Sequence, residues 1–143
     1  MEHISPYIVA ILAAWVVAQG AKYVLIAVKE KSLNGFRHLY LSGNMPSAHT
    51  ATVAALLTVI ALRDHLDSGL FGLATLFAAI VMYDAVMVRR SSGEQGEAIQ
   101  QLIKEQGSKV KLPRAAKGHK PVEVAVGALV GVAVGLVVFL ATK

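Results

Sequence analysis

Apolar residues along this chain gather into four long runs, separated by polar segments of very unequal length. The first run covers about Ile4 to Val28 and is interrupted by Gln19 and Lys22. The second starts at Pro46 or Ser47 and stops near Leu62, before Arg63-Asp64-His65. The third covers about Ser68 to Val88 with one charge, Asp84. The fourth covers about Pro121 to Thr142, with Glu123 near its start. Helices of ~17–25 residues cross the ~30 Å of bilayer hydrocarbon. The pattern therefore predicts an all-α, integral-membrane helical bundle of about four transmembrane helices, with residues 1–143 as a single membrane domain. The second run is short, so its first turn is expected at the interface. The link Asp64–Asp67 is so brief that runs two and three must form an antiparallel hairpin.

Four spans impose a parity. The end of the first, the start of the second, the end of the third and the start of the fourth share one membrane face. Of the 14 Lys and Arg, Lys22 lies within a span, and Arg63 and Lys143 fall on the opposite face. The other eleven lie in the loops 29–45 and 89–120 of the first face. The positive-inside rule makes that face cytoplasmic and puts both termini outside the cytoplasm, in a bacterial-type inner or plasma membrane. His49, Asp84, Arg90 and His119, scattered in sequence, are thereby collected at one end of the bundle.

The long loop is not uniform. Gly93 to Gln106 reads as an amphipathic interfacial helix, with Ala98, Ile99, Leu102 and Ile103 on one side, within a loop spanning 91–118. Gly107 ends it, and a basic stretch containing Pro113 follows. In the fourth span Gly127, Gly131 and Gly135 recur at intervals of four. That ridge permits close packing, within the bundle or across a homodimer.

Composition sharpens this picture. The chain of 143 residues is 55% hydrophobic, with a mean hydropathy of +0.57, well above a soluble domain. It has no cysteine, which excludes disulfides, thiolate chemistry and Cys-based zinc sites. The net charge of +5 suits anionic headgroups, and its confinement to short loops argues against nucleic acid. Met1-Glu2-His3 lacks the basic start of a signal peptide, so the first run is expected to be retained.

Candidate chemistry clusters on the crowded face. In Pro46-Ser47-Ala48-His49, Pro and Ser suit a helix start, but His49 entering an apolar helix is not explained by capping. Intramembrane ionisable groups are functional by default. In Gly118-His119-Lys120-Pro121-Val122-Glu123, Glu123 can accept from one ring nitrogen of His119 and leave the other free to attack. Arg89 and Arg90 offer planar forks that suit phosphate oxygens. Asp84 needs a partner, for which Lys22 and Arg90 are the candidates. Lys22 either snorkels or binds phosphate, and Arg37 is a second early cation. Glu94 and Gln95 are placed to orient Arg90. His3, His38 and His65 read as solvated surface residues.

Taken together, Gly43-Asn44-Met45-Pro46-Ser47-Ala48-His49, then Asp84 to Arg90 with Gly93-Glu94-Gln95, then Gly118 to Val124 with Gly127, resemble the divergent PAP2 family. That family is the small membrane branch related to type 2 phosphatidic acid phosphatases and vanadium haloperoxidases. The resemblance implies a lipid phosphate or diphosphate phosphatase working through a phosphohistidine, with no metal and no cofactor. It makes His119 the nucleophile, Glu123 its relay carboxylate and His49 the general acid. Ser47, Lys22, Arg37 and Arg89, Arg90 or Arg114 would contact phosphate. Ala48 stands where the wider superfamily has glycine, and Glu123 where it has aspartate. Two other readings remain open from the residues alone: a metal-dependent phosphotransferase using Asp84, Glu94 and Glu123, and a non-catalytic lipid-phosphate binder or transporter.

Overall fold

A computed structural model describes residues 4–30, 45–113, 115 and 118–143. Among these the chain is helical, without strands. Helix α1 is Pro6–Glu30, α2 is Ala48–Arg63, α3 is Gly69–Tyr83, α4 is Arg89–Glu105 and α5 is Pro121–Ala141. Arg37 and Arg114, both expected to contact phosphate, lie outside the described residues.

Three helices are long and apolar enough to cross a membrane: α1, the unit running from α3 through α4, and α5. Helix α2, with 16 residues, is about 24 Å long. It is the central element, packing against α1, α3 and α5, while α5 also touches α1.

The interior is built from small side chains. Ala10, Ala14, Ala18, Ala51 and Ala55 are buried, and the largest fully buried side chains are Val59, Thr50, Pro46 and Ser47. Large apolar groups such as Leu129, Leu73, Trp15 and Phe77 face outward. This inverts the soluble pattern, in which large apolar groups drive burial. In lipid, helices associate through close packing of small residues instead.

The glycine ridge of α5 shows the same rule. A Cβ on Gly131 would sit 2.7 Å from Ala54 Cβ and closer still to the Ala51 carbonyl oxygen. Gly127 meets Ser47, and Gly135 meets Ala55 and Thr58. Of its two expected uses, the ridge thus serves packing within the chain.

The far end of the bundle is tied by polar contacts that the sequence did not announce. Tyr7 Oη donates to Asp64 Oδ2 at 2.6 Å, and Arg63 Nη2 donates to Thr142 O and to Thr142 Oγ1 (2.9 Å). These bonds join the start of α1, the end of α2 and the end of α5. Ser68 caps α3 by accepting from Phe71 N–H at 3.1 Å, which completes the expected hairpin.

The boundary after the third run differs from expectation. The helix does not stop near Val88 and restart in a loop. It continues for 37 residues from Gly69 to Glu105, about 55 Å. Nothing between Tyr83 and Ser92 breaks it, but Asp84–Val88 forms a π turn. The amphipathic stretch is therefore an extension of α3, and Ile99 and Leu102 are exposed while Gly93 and Gly96 form its buried side. Gly107 ends α4 at φ 61, with Ser108 N–H bonded to Ile103 O and Gly107 N–H to Lys104 O. That left-handed turn needs a glycine.

Candidate phosphate site at the charged end of the bundle

The chain returns from Gly107 along α4. Gln100 Nε2 donates to Pro113 O at 2.6 Å. Gly118 then lies so close to α4 that a Cβ there would come within 2.5 Å of the Arg90 backbone. This approach delivers His119 to the π turn. Arg89 N–H bonds to Asp84 O, five residues back, so it bypasses Ala85 O, its usual α-helical partner. Ala85 O instead accepts the N–H of His119 at 3.1 Å.

Helix α5 begins immediately afterwards. Pro121 occupies the first turn, where a missing N–H costs nothing. Glu123 Oε2 accepts from Lys120 N–H (3.1 Å) and lies 3.0 Å from His119 Nδ1. An ionised carboxylate can only accept, so in the neutral imidazole this contact puts the proton on Nδ1 and leaves the lone pair to Nε2. The His119 side chain is 5% exposed. Glu123 O also accepts from Ser47 N–H at 3.2 Å, which joins the start of α5 to the start of α2.

Ser47 caps α2. Its Oγ accepts from Thr50 N–H (3.4 Å) and Thr50 Oγ1 (3.0 Å), and its side chain is fully buried. The hydroxyl expected to contact phosphate is thus also a structural cap. His49 lies on the exposed side of α2. Its electrostatic neighbours are Arg89, His119, Lys22 and Asp84, drawn from every helix that was expected to contribute.

Lys22 is turned into the bundle. The buried stripe of α1 is Ala10, Ala14, Ala18, Lys22 and Ile26, at a constant spacing of four. Lys22 is 5% exposed and faces inward, within electrostatic range of Glu123. It does not snorkel. One turn earlier, Gln19 Oε1 is buried with no hydrogen-bond partner among the described residues. The alanine stripe was the signal in the sequence that would have fixed the direction of Lys22.

The carboxylates part company. Asp84 pairs with Arg89 (Oδ2 to Nε, 2.7 Å), not with Lys22 or Arg90. Arg90 turns to Glu94 at 3.1 Å, an exposed contact. Gln95 donates to Ser91 Oγ at 3.3 Å and does not orient Arg90. Asp84, Glu94 and Glu123 each face a different partner, and among the described residues no three His, Asp or Glu side chains gather as metal ligands. A cleft of about 580 Å³ runs beside α4, lined by Arg90, Glu94, Glu97, Gly118, His119 and Lys120. Lys22 and His49 are not part of its wall.

A sequence profile of the Divergent PAP2 family matches residues 4–134, nearly the whole chain and every motif just described. The chain belongs to the divergent PAP2 family. It is also 37% identical over 141 residues to YuiD, a membrane protein of Bacillus subtilis (strain 168) described as uncharacterized, covering 88% of this chain and 89% of that one. No solved structure matches it. This divergent PAP2 chain is accordingly a helical membrane protein in which the starts of α2 and α5 and the π turn after α3 meet at one end of the bundle.

Proposed function

We propose that this protein is an integral-membrane phosphatase that hydrolyses a lipid phosphomonoester or diphosphate at the membrane interface. The observation that carries this reading is the contact of His119 Nδ1 with Glu123, which leaves Nε2 available as a nucleophile, while the buried Lys22 lies within electrostatic range of the same Glu123. Attack by Nε2 forms a P–N bond and breaks the P–O bond to the lipid. His49 gives its proton to the departing oxygen, the alkoxide of a monoester or the lipid phosphate of a diphosphate. Water then attacks phosphorus, returns a proton to His49, breaks the P–N bond to restore Nε2, and leaves as part of inorganic phosphate. Lys22 and a guanidinium at the α3–α4 junction stabilise the equatorial oxygens, so positioning and electrostatics supply most of the catalysis. The charged end of the bundle, and with it the chemistry, faces the cytoplasm under the positive-inside rule.

Purified full-length protein in detergent is incubated with short-chain phosphatidate and with a polyprenyl diphosphate. The expected result is release of inorganic phosphate that persists in EDTA, is inhibited by vanadate and vanishes in His119→Ala. Loss of activity in EDTA would favour a metal-activated water. Retention of vanadate binding without turnover on any substrate would favour the binder or transporter reading.

A further inference from the structure

Residues five apart on an α-helix diverge by about 140° around the axis, at about 100° per residue. Asp84 and Arg89 would then point apart. The π turn winds more slowly and carries both to one side, where Arg89 Nε donates to Asp84 Oδ2 at 2.7 Å. The same turn leaves Ala85 O for the N–H of His119. One distortion of the helix thus orients an arginine and docks the candidate nucleophile.

Arg89 lies within electrostatic range of His49, and the carbonyl next to Asp84 holds the backbone of His119. Arg90, one residue on, is turned to Glu94 at a cleft that Glu97 also lines. The Arg90–Glu94 pair is 65% and 66% exposed and faces solvent, whereas the Arg89–Asp84 pair is half-buried. Among the described residues Arg89 uses only Nε, so both of its Nη groups remain to donate to two oxygens of one anion. The Asp84–Arg89 pair is 37% exposed on each side, and ion pairs so open contribute little to stability.

From this geometry we propose that Arg89, and not Arg90, grips the phosphate, and that Asp84 is a positioning residue that holds the Arg89 guanidinium in place across the π turn. The inference rests on the phosphatase reading and names the clamp within it.

The test uses the purified full chain and inorganic phosphate as a competitive inhibitor of lipid phosphate hydrolysis. Arg89→Lys and Asp84→Asn raise the inhibition constant of phosphate roughly 10–100-fold, the loss expected when a charged hydrogen bond is misplaced. Arg90→Lys stays near wild type, and Asp84→Glu recovers part of the loss because it keeps the charge. An inhibition constant does not depend on how much of the sample is folded. An Asp84 with a merely structural role would lower the melting temperature and kcat and leave that constant unchanged, which overturns the positioning role. Arg89→Lys decides the clamp where Asp84→Asn does not fold. A large rise in Arg90→Lys with Arg89→Lys near wild type overturns the assignment and leaves the phosphatase reading standing. A wild-type chain that turns over no lipid phosphate overturns both.

Discussion

His119 is held by two bonds made by different atoms. Its backbone N–H reaches Ala85 O, and its ring reaches Glu123. Alanine at this position keeps the first and removes the second together with a buried ring, so His119→Ala is expected to abolish phosphate release and to lower the thermal unfolding midpoint in detergent without unfolding the chain. Turnover near the wild-type rate would end the covalent reading. His49 has a different task and a different signature. If it protonates the leaving group, His49→Ala lowers turnover of an alkyl lipid phosphate by about 10²–10⁴-fold. The loss shrinks sharply on an aryl phosphate, whose leaving group needs no proton. An equal loss on both substrates would remove the acid role from His49. His65→Ala, on the loop at the other end, serves as the silent control. The histidine motifs were legible as residues because each breaks a local rule: an ionisable group entering an apolar helix, or a His four before a Glu. The partner of Asp84 was not legible, because spacing of five is read as divergent on an ordinary helix.

At the scale of elements, the contact between α2 and α5 depends on the absence of Cβ atoms. Gly131→Val must push Ala51 and Ala54 aside, and overpacking of this kind costs about 1–3 kcal/mol. Gly72→Ala has nothing within 4 Å of the new methyl group, and a helix gains from replacing glycine. Thermal unfolding of the two variants in one detergent should therefore move in opposite directions. If Gly131→Val unfolds with Gly72→Ala, the α2–α5 packing is not as described. The glycine ridge and the stop at Gly107 could be read from the sequence. The continuous passage from α3 into α4 could not, since Tyr83-Asp84-Ala85-Val86-Met87-Val88 contains neither a breaker nor a marker of a π turn. The change from apolar to polar residues at Arg89 reads as the end of a helix, whereas it marks only a change of surroundings along one.

For the molecule as a whole, parity was the strongest inference from sequence. Counting spans placed the starts of α2 and α5 and the ends of α1 and α3 at one end, and the bonds Ser47 N–H to Glu123 O and His119 N–H to Ala85 O join three of these ends directly. Sidedness has its own test. Single cysteines at Ser68 and at Ser108, in a chain with no other cysteine, are expected to react with a membrane-impermeant maleimide from opposite sides of the membrane, Ser108 from the cytoplasm. Labelling of both from one side would overturn the topology. What sequence could not supply was how the ends fit together. The ties Tyr7–Asp64 and Arg63–Thr142 join residues far apart in the chain, and no local pattern encodes them.

The π turn makes the site depend on chain length as well as on residue type. Deleting one residue from Asp84–Val88, for example Val86, would let the helix relax to an α-helical course. Five residues of π turn and four of α-helix each complete about one turn, so everything after the deletion would keep nearly its present direction relative to α3. Asp84 and Arg89 would stand four apart and still meet, and the surface that receives the returning chain at Arg90 and Gln100 would stay in place. The Arg90 N–H, however, would now fall four residues after Ala85 and take its carbonyl, so the His119 N–H would lose its acceptor. A single-codon deletion here would therefore leave every functional side chain present and in phase, and a chain one residue shorter at this place would have to hold His119 by a different bond.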